Sequence, residues 1–272
     1  MVFRVALAIA TLMVVTMVET TSAALIVRCR NCHLPHDLRM VDCVQCHHGN
    51  PATSRKNLAH TRLITGVPAS FQNHSSSARR EGERLIKQLG CRRCHISFAS
   101  GAGVATNLDS LLPNANLLQL HQAIRVPAVY MPLFSLSTYQ REAIITALLA
   151  GGFQFPVQAS QHYRVVFSQG EQASEGPRVF LKQCGGCHKA LTARKGGVGH
   201  GTTGPNLSGL FTPWYPSPDS HGVRWTPERL NRWLKNPRSI QPYSSMPPRK
   251  LSAKEFEEIV SLLTIEIPMA LK

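Results

Sequence analysis

The chain has 272 residues, a formal net charge of +15 and eight cysteines. A chain of this length holds one to three small domains, and so basic a composition first raises nucleic acid as a partner. An export signal at the N-terminus argues against nucleic acid, because an exported protein does not meet it.

The N-terminus is typical of an export signal. Arg4 precedes an apolar run of 14 residues, 5–18, and the small-residue stretch 20–24 suits a cleavage site. The run is shorter than the roughly 20 residues that a membrane-spanning helix needs. We therefore predict a signal peptide over residues 1–24, with an uncleaved N-terminal anchor as the alternative. Either form places the rest of the protein in the periplasm or on the outer face of the cytoplasmic membrane.

Four copies of Cys-x-x-Cys-His follow, and they use all eight cysteines. This spacing is that of a c-type haem attachment site, in which two thiols bind the haem and the histidine ligates its iron. The cysteines are Cys29, Cys32, Cys43, Cys46, Cys91, Cys94, Cys184 and Cys187. The histidines are His33, His47, His95 and His188. The sequence therefore predicts four covalently bound haem c groups and leaves no cysteine for a disulfide.

A zinc site is the alternative interpretation of the first two motifs, because two Cys-x-x-Cys pairs can supply four thiolate ligands. That interpretation does not explain the histidine that follows each pair. It also leaves the two isolated motifs further along the chain without a role. We therefore favour haem at all four motifs.

Residues 25–77 hold two motifs, with only nine residues between His33 and Cys43. A segment this short cannot bury two haems in an ordinary side-chain core, so we expect the haems themselves to form the core. His36 would point past its own haem toward the neighbour, and His60 lies on a short predicted helix that returns over the pair. We assign these two histidines as distal ligands, and the segment resembles the small bis-histidine modules of multihaem c-type cytochromes. The remaining histidines, kept as alternative ligands, are His48 and His74.

An internal repeat organises residues 78–267. Three short elements recur in the same order, namely 81–84 with 175–178, 107–111 with 206–210, and 131–137 with 246–252. The last element of each copy leads into an amphipathic closing helix. Ser137 with Gln140, and Ser252 with Glu255, have the spacing of a capping box at the start of that helix.

Further signals place the helix boundaries of the repeat. The first closing helix is predicted to end at Gly151 and Gly152, since glycine commonly terminates helices. Another helix lies between the second and third elements of each copy. One of these stops before Pro127, and the other begins at Thr226 with Pro227 in the first helical position. The chain is therefore predicted to be mainly α-helical.

Each copy resembles a class I cytochrome c domain, over residues 78–152 and 160–272. The shared elements are a short helix entering Cys-x-x-Cys-His, a Pro-Asn-Leu-like loop, a methionine followed by proline, and a closing helix. The resemblance implies the axial ligands of two haems, which are His95 with Met131 and His188 with Met246. The implied architecture is a small haem-packed dihaem module over 25–77 followed by two class I-like helical domains.

The first copy departs from the family pattern. Its motif histidine and its methionine are 36 residues apart, against 58 in the second copy. It has Thr106 where the second copy has Pro205, and His121 could compete with Met131 for the iron. The first copy is therefore predicted to be a trimmed domain with less cover over its haem.

These ligands predict an electron carrier. Six-coordinate haem leaves no open iron position for a substrate, and the sequence holds no recognisable set of catalytic residues. Methionine ligation raises the haem potential relative to bis-histidine ligation. Electrons are therefore expected to pass from the N-terminal pair to the two His/Met haems, in a respiratory or other redox chain. The alternatives are a haem enzyme, peroxidase-like or acting on sulfur compounds, and a repeating unit of an extracellular haem filament.

The positive charge predicts an acidic redox partner. Residues 28–93 contain twelve Lys or Arg against four acids. Haem propionates would neutralise part of this excess, and the remainder would form a face that steers an acidic donor to the N-terminal module. A membrane quinol-oxidising complex is a further candidate partner, and nucleic acid is not expected.

Overall fold

The computed structural model describes residues 28–36, 43–157, 177–217, 222–268 and 271. The predicted signal peptide, residues 1–24, lies outside these ranges, as do the first two residues of the 175–178 repeat element. In the part of the chain that the structure describes, no helix is both long and apolar enough to cross a membrane.

The chain is mainly helical, as the sequence predicts. Its α-helices are α1 (Cys43–His47), α2 (Lys56–Ala59), α3 (Ser77–Gln88), α4 (Leu117–Arg125), α5 (Thr138–Gln154), α6 (Arg178–Gln183), α7 (Pro227–Lys235) and α8 (Ala253–Leu263). Short 3-10 turns are Arg28–Asn31, Val67–Ser70, Cys91–Arg93, Leu108–Ser110, Leu112–Asn114 and Pro237–Ser239. Two antiparallel hairpins pair β1 (Ile96–Ser97) with β2 (Ser100–Gly101), and β3 (Ala190–Thr192) with β4 (Gly196–Val198).

The predicted helix starts are confirmed. Ser137 and Ser252 each accept a hydrogen bond from the backbone N–H three residues on, and the residue at that position bonds back, which completes both capping boxes. Thr226 caps α7, and Pro227 occupies its first position. Each cap satisfies backbone N–H groups that a helix start otherwise leaves without partners, so local sequence fixes where these helices begin.

The predicted end of α5 is wrong. Gly151 and Gly152 lie inside the helix, which continues to Gln154. A Cβ on Gly151 would come within 2.9 Å of the Asp109 carboxylate, and one on Gly152 within 2.7 Å of the Asp109 carbonyl oxygen. The two glycines therefore serve close packing against the 3-10 turn Leu108–Ser110 rather than helix termination.

The middle region is built on the crossing of α3 and α5. Gly82 of α3 lies directly against the backbone of Ala143, where a side chain would collide. Around this crossing a buried core forms that includes Ile145 and Leu149 of α5. The same core contains Ile64 and Phe71, both fully buried, although they precede the predicted domain boundary after residue 77. The end of the N-terminal segment thus packs as part of the middle region.

The C-terminal region has a separate core. Phe180 of α6 is fully buried and packs with residues of α7 and α8. The other members from these two helices are Leu230, Leu234, Ile259, Leu262 and Leu263. This three-helix arrangement positions the loop that follows the fourth motif.

The N-terminal motifs lie where side chains build no core. Among the described residues from Cys29 to Leu63, none is buried. Apolar burial is the main source of folding free energy, so side chains alone do not stabilise this part. That is the arrangement expected if two haems supply the core.

Candidate haem attachment sites

All four motifs fold into the same helical turn. The histidine N–H donates to the carbonyl of the first cysteine at 3.0 Å in His33, 3.0 Å in His95 and 2.8 Å in His188, and the second motif forms α1. Residues three apart on such a turn share a face, so the two thiols of each motif lie on one side. All eight cysteines are free thiols in the structure.

Three motif histidines are oriented by a backbone carbonyl. Nδ1 lies 2.8 Å from the Ile64 oxygen in His47, from the Thr106 oxygen in His95 and from the Pro205 oxygen in His188. A carbonyl only accepts, so Nδ1 carries the proton and Nε2 keeps its lone pair for a metal.

The difference between Thr106 and Pro205 costs no hydrogen bond, because each contributes only its carbonyl oxygen. Desolvation also lowers the pKa of His95 below its ordinary value, against a smaller opposing effect of the Thr106 hydrogen bond. Desolvation therefore favours the neutral His95 ring, and the hydrogen bond to Thr106 orients it. A neutral, oriented imidazole is the form that ligates iron.

The zinc interpretation of the first two motifs requires four ligands that converge on one point. In the described part of the chain, no group of three or more His, Cys, Asp or Glu side chains is placed to hold a metal ion. Desolvation raises the pKa of both Cys91 and Cys184 to about 11, so these residues are thiols at neutral pH. Thiols add across a vinyl group, and the chemistry of the motifs therefore fits haem attachment.

The N-terminal histidines form two pairs. His36 Nε2 lies 3.3 Å from His47 Nε2, and the rings of His33 and His60 are 5.8 Å apart between centroids. Each pair joins one motif histidine with one histidine assigned from the sequence as a distal ligand. Two nitrogens that bind one metal from opposite sides, each at about 2 Å, are about 4 Å apart. The His36 and His47 nitrogens, at 3.3 Å, are within 1 Å of that separation.

The two alternative histidines lie elsewhere. His48 packs edge-on against Phe71, with 6.3 Å between ring centroids, and burial lowers its pKa. His74 is exposed. Neither of these placements directs its ring toward a motif histidine.

The two predicted methionine ligands have different surroundings. The Met246 sulfur accepts a hydrogen bond from the Trp233 indole at 2.9 Å, and Met246 packs against the C-terminal core. Met131 lies half-buried between α4 and α5, and its N–H donates to the Ala128 carbonyl at 2.8 Å. His121, the alternative ligand, is on α4 and half-buried.

Sequence reasoning missed the part played by Trp233. Aligning the two copies on the proline that follows α4 in the first and α7 in the second shows the difference between them. Trp233 lies four residues before Pro237, and Ala123 lies four residues before Pro127. The corresponding position in the first copy therefore has no hydrogen-bond donor for the sulfur of its methionine.

The C-terminal part of the chain matches a known family. Residues 171–263, which include the fourth motif and Met246, are similar to the family described as cytochrome C oxidase, cbb3-type, subunit III. The protein carries a c-type cytochrome domain. Covalent haem c and a haem-based role in electron transfer follow for this domain. The first three motifs lie outside the match, and no solved structure matches the chain.

Proposed function

We propose that the protein is an exported tetrahaem c-type cytochrome that carries electrons from a low-potential bis-histidine pair to two His/Met haems. The observation that carries this proposal is the pairing of each N-terminal motif histidine with one histidine outside the motifs. Such a pairing supplies both axial positions of an iron, whereas a surface histidine needs no such partner.

The residues divide into four ligand sets. The proposed axial pairs are His33 with His60, His47 with His36, His95 with Met131, and His188 with Met246. Each haem, when bound, supplies an iron that gains and loses one electron. The protein's own residues hold the histidine rings in one tautomer and one orientation, through the carbonyls that their Nδ1 atoms meet.

The ligands set the direction of transfer. Thioether ligation raises a haem potential relative to imidazole ligation, so the two C-terminal sites should accept electrons from the two N-terminal ones. The proposed ligand sets fill both axial positions at every site, and this favours a carrier over a haem enzyme, which needs an open position. The alternative of a repeating unit in an extracellular haem filament is less favoured. The dihaem module alone would suit that role, but the two helical domains that follow it suit it less well.

An intact-mass measurement combined with a spectroelectrochemical titration tests this function. The exported protein, produced with a working haem attachment system, should show four haem additions and two groups of couples, the lower pair bis-histidine and the upper pair His/Met. The double variant Cys43→Ala/Cys46→Ala should show three additions. Fewer than four haems in the unaltered protein, or four couples of one ligand type, would contradict the proposal.

We also propose that an acidic donor protein docks at the N-terminal module. Arg55 and Lys56 are exposed at the start of α2, and His60, a proposed ligand of the first haem, directly follows the helix. Exposed positive charge beside the site of electron uptake steers an acidic protein to it. Such steering weakens with salt, because exposed charges are screened beyond about 8 Å at physiological ionic strength.

Reversing these charges should slow reduction. With reduced flavodoxin as an acidic one-electron donor, Arg55→Glu/Lys56→Glu is expected to lower the second-order rate about tenfold at low salt, measured by rapid mixing. The matched control is Lys235→Glu/Arg238→Glu, an equal reversal at exposed positions of the C-terminal region, which should change the rate little. Equal rates for both variants, unaffected by salt, would argue that the basic excess only neutralises propionates.

A further inference from the structure

The segment that ends at Met131 is held by the C-terminal region. The Tyr130 carbonyl accepts a hydrogen bond from Asn206 Nδ2 at 2.7 Å, and the Val129 carbonyl accepts one from Lys189 Nζ. The Tyr130 ring lies on Gly197 of β4, where any side chain would collide with it. Three contacts from one region therefore fix the two residues immediately before Met131.

Asn206 is itself held in one orientation. Its Oδ1 accepts from the Ser208 N–H at 2.9 Å and from the Ser208 hydroxyl at 2.6 Å. The amide nitrogen must then point the other way, toward Tyr130, where it donates. The Asn206 backbone oxygen accepts from the Tyr215 hydroxyl at 2.9 Å and from Arg93 at 3.3 Å.

The backbones of the two regions are in direct contact beside this residue. Gly209, at φ +68°, lies against the backbone of Arg93, so that a Cβ there would overlap it. Gly90, at φ +66°, faces the Trp214 carbonyl, 2.8 Å from where its Cβ would be. Arg93 is inside the third motif, and its guanidinium stacks on the Tyr215 ring at 5.1 Å. The two regions therefore meet backbone to backbone at the third motif.

The middle region offers little support of its own at Met131. Around the methionine, Val129 is 70% exposed and Leu133 is 73% exposed. In the C-terminal copy the methionine sulfur accepts a hydrogen bond from Trp233 of its own domain, and the corresponding position in the middle copy is Ala123. Met246 is thus held by a residue of its own domain. The segment before Met131 is held by residues of the C-terminal region.

We propose that Asn206 is a positioning residue for the third haem site, the His95/Met131 site. Its side chain holds the carbonyl next to Met131 and so keeps that methionine at the third haem. Its backbone neighbour Pro205 supplies the carbonyl that orients His188 at the fourth. This inference rests on the proposed function, since it requires Met131 to be an axial ligand. Its consequence is that the third site is complete only with the C-terminal domain in place.

The variant Asn206→Asp isolates the contact to Tyr130. Aspartate keeps an oxygen for Ser208 and loses the donor, so a carboxylate oxygen faces the Tyr130 carbonyl. Leaving a hydrogen-bonding group without its partner should shift the balance between bound and displaced Met131 by about tenfold. We expect the Met–iron absorption signal of the third site to fall by about half or more, the potential of that couple to drop, and amide exchange at 128–131 to quicken. The signal of the fourth site should persist.

Three further variants complete the experiment. Met131→His identifies which Met–iron signal belongs to the third site. Asn236→Asp makes the same chemical change at an exposed position of the same domain and should leave both signals and both potentials unchanged. Gly197→Ala displaces the Tyr130 ring from a different direction, and it should weaken the same signal as Asn206→Asp.

The outcomes separate the inference from the function on which it rests. If the unaltered protein shows two Met–iron signals and both survive in Asn206→Asp, with unchanged amide exchange, the positioning role is overturned and the ligand assignment stands. If the unaltered protein lacks the third-site signal, the assignment of Met131 fails, and the inference fails with it. Should Asn206→Asp not accumulate, survival of both signals in Gly197→Ala is the result that overturns it.

Discussion

Replacing His36 with alanine is expected to convert the second haem site from low spin to high spin. His36 Nε2 lies 3.3 Å from His47 Nε2, which makes it the candidate for the axial position opposite the motif histidine. Without the imidazole, that position is open to water or to an added ligand. One of the four predicted sites should therefore show a high-spin signal in electron paramagnetic resonance of the oxidised protein, and added imidazole should restore the low-spin form.

The matched control is His74→Ala. His74 lies in the same segment but is exposed, so its removal should leave all sites low spin. His60→Ala should open a different site, the first, whose motif histidine is His33. Unchanged low-spin signals in His36→Ala, together with a new high-spin signal in His74→Ala or His48→Ala, would transfer the ligand role to the alternative histidine.

The features that the sequence predicted correctly are those set by neighbouring residues. A capping box needs only a serine and a glutamine or glutamate three residues apart, so Ser137 and Ser252 identify their helices without any knowledge of tertiary structure. The helical fold class and the start of α7 at Thr226 were predictable on the same ground. The cytochrome c domain predicted over residues 160–272 also follows from local order, since its motif and its methionine occur in the expected sequence, and the family match covers residues 171–263 of it.

The features that the sequence did not predict depend on contacts between distant residues. Glycine commonly ends helices, so the sequence alone predicts a helix end at Gly151 and Gly152. Their actual role is close approach to Asp109. The carbonyl that orients His47 comes from Ile64, which no spacing rule identifies. Likewise, nothing in the repeat indicates that Asn206 of one copy bonds to Tyr130 of the other.

Replacing Met246 with histidine should lower the potential of the fourth haem more than any other single change at that site. Axial ligands set haem potentials over a range of about 0.8 V, and imidazole favours oxidised iron more than thioether does. We expect a fall on the order of 0.1 V or more in one couple, and loss of one Met–iron absorption signal. A redox titration followed optically measures both. The potential of the fourth haem would then no longer exceed the potentials of the N-terminal pair. In a partly reduced protein the fourth haem should therefore no longer be reduced first.

A graded control comes from Trp233→Phe, which removes the indole donor and keeps an aromatic ring. Sulfur has two lone pairs, so Met246 can accept from Trp233 with one and face a metal with the other. A hydrogen bond draws electron density from the sulfur, which makes it a weaker donor to oxidised iron. Losing a bond worth about 1 kcal/mol corresponds to roughly 40 mV for one electron, so the same couple should fall by a few tens of millivolts with its Met–iron signal retained. If neither variant shifts a couple, Met246 is a core residue, and the fourth iron takes its sixth ligand elsewhere.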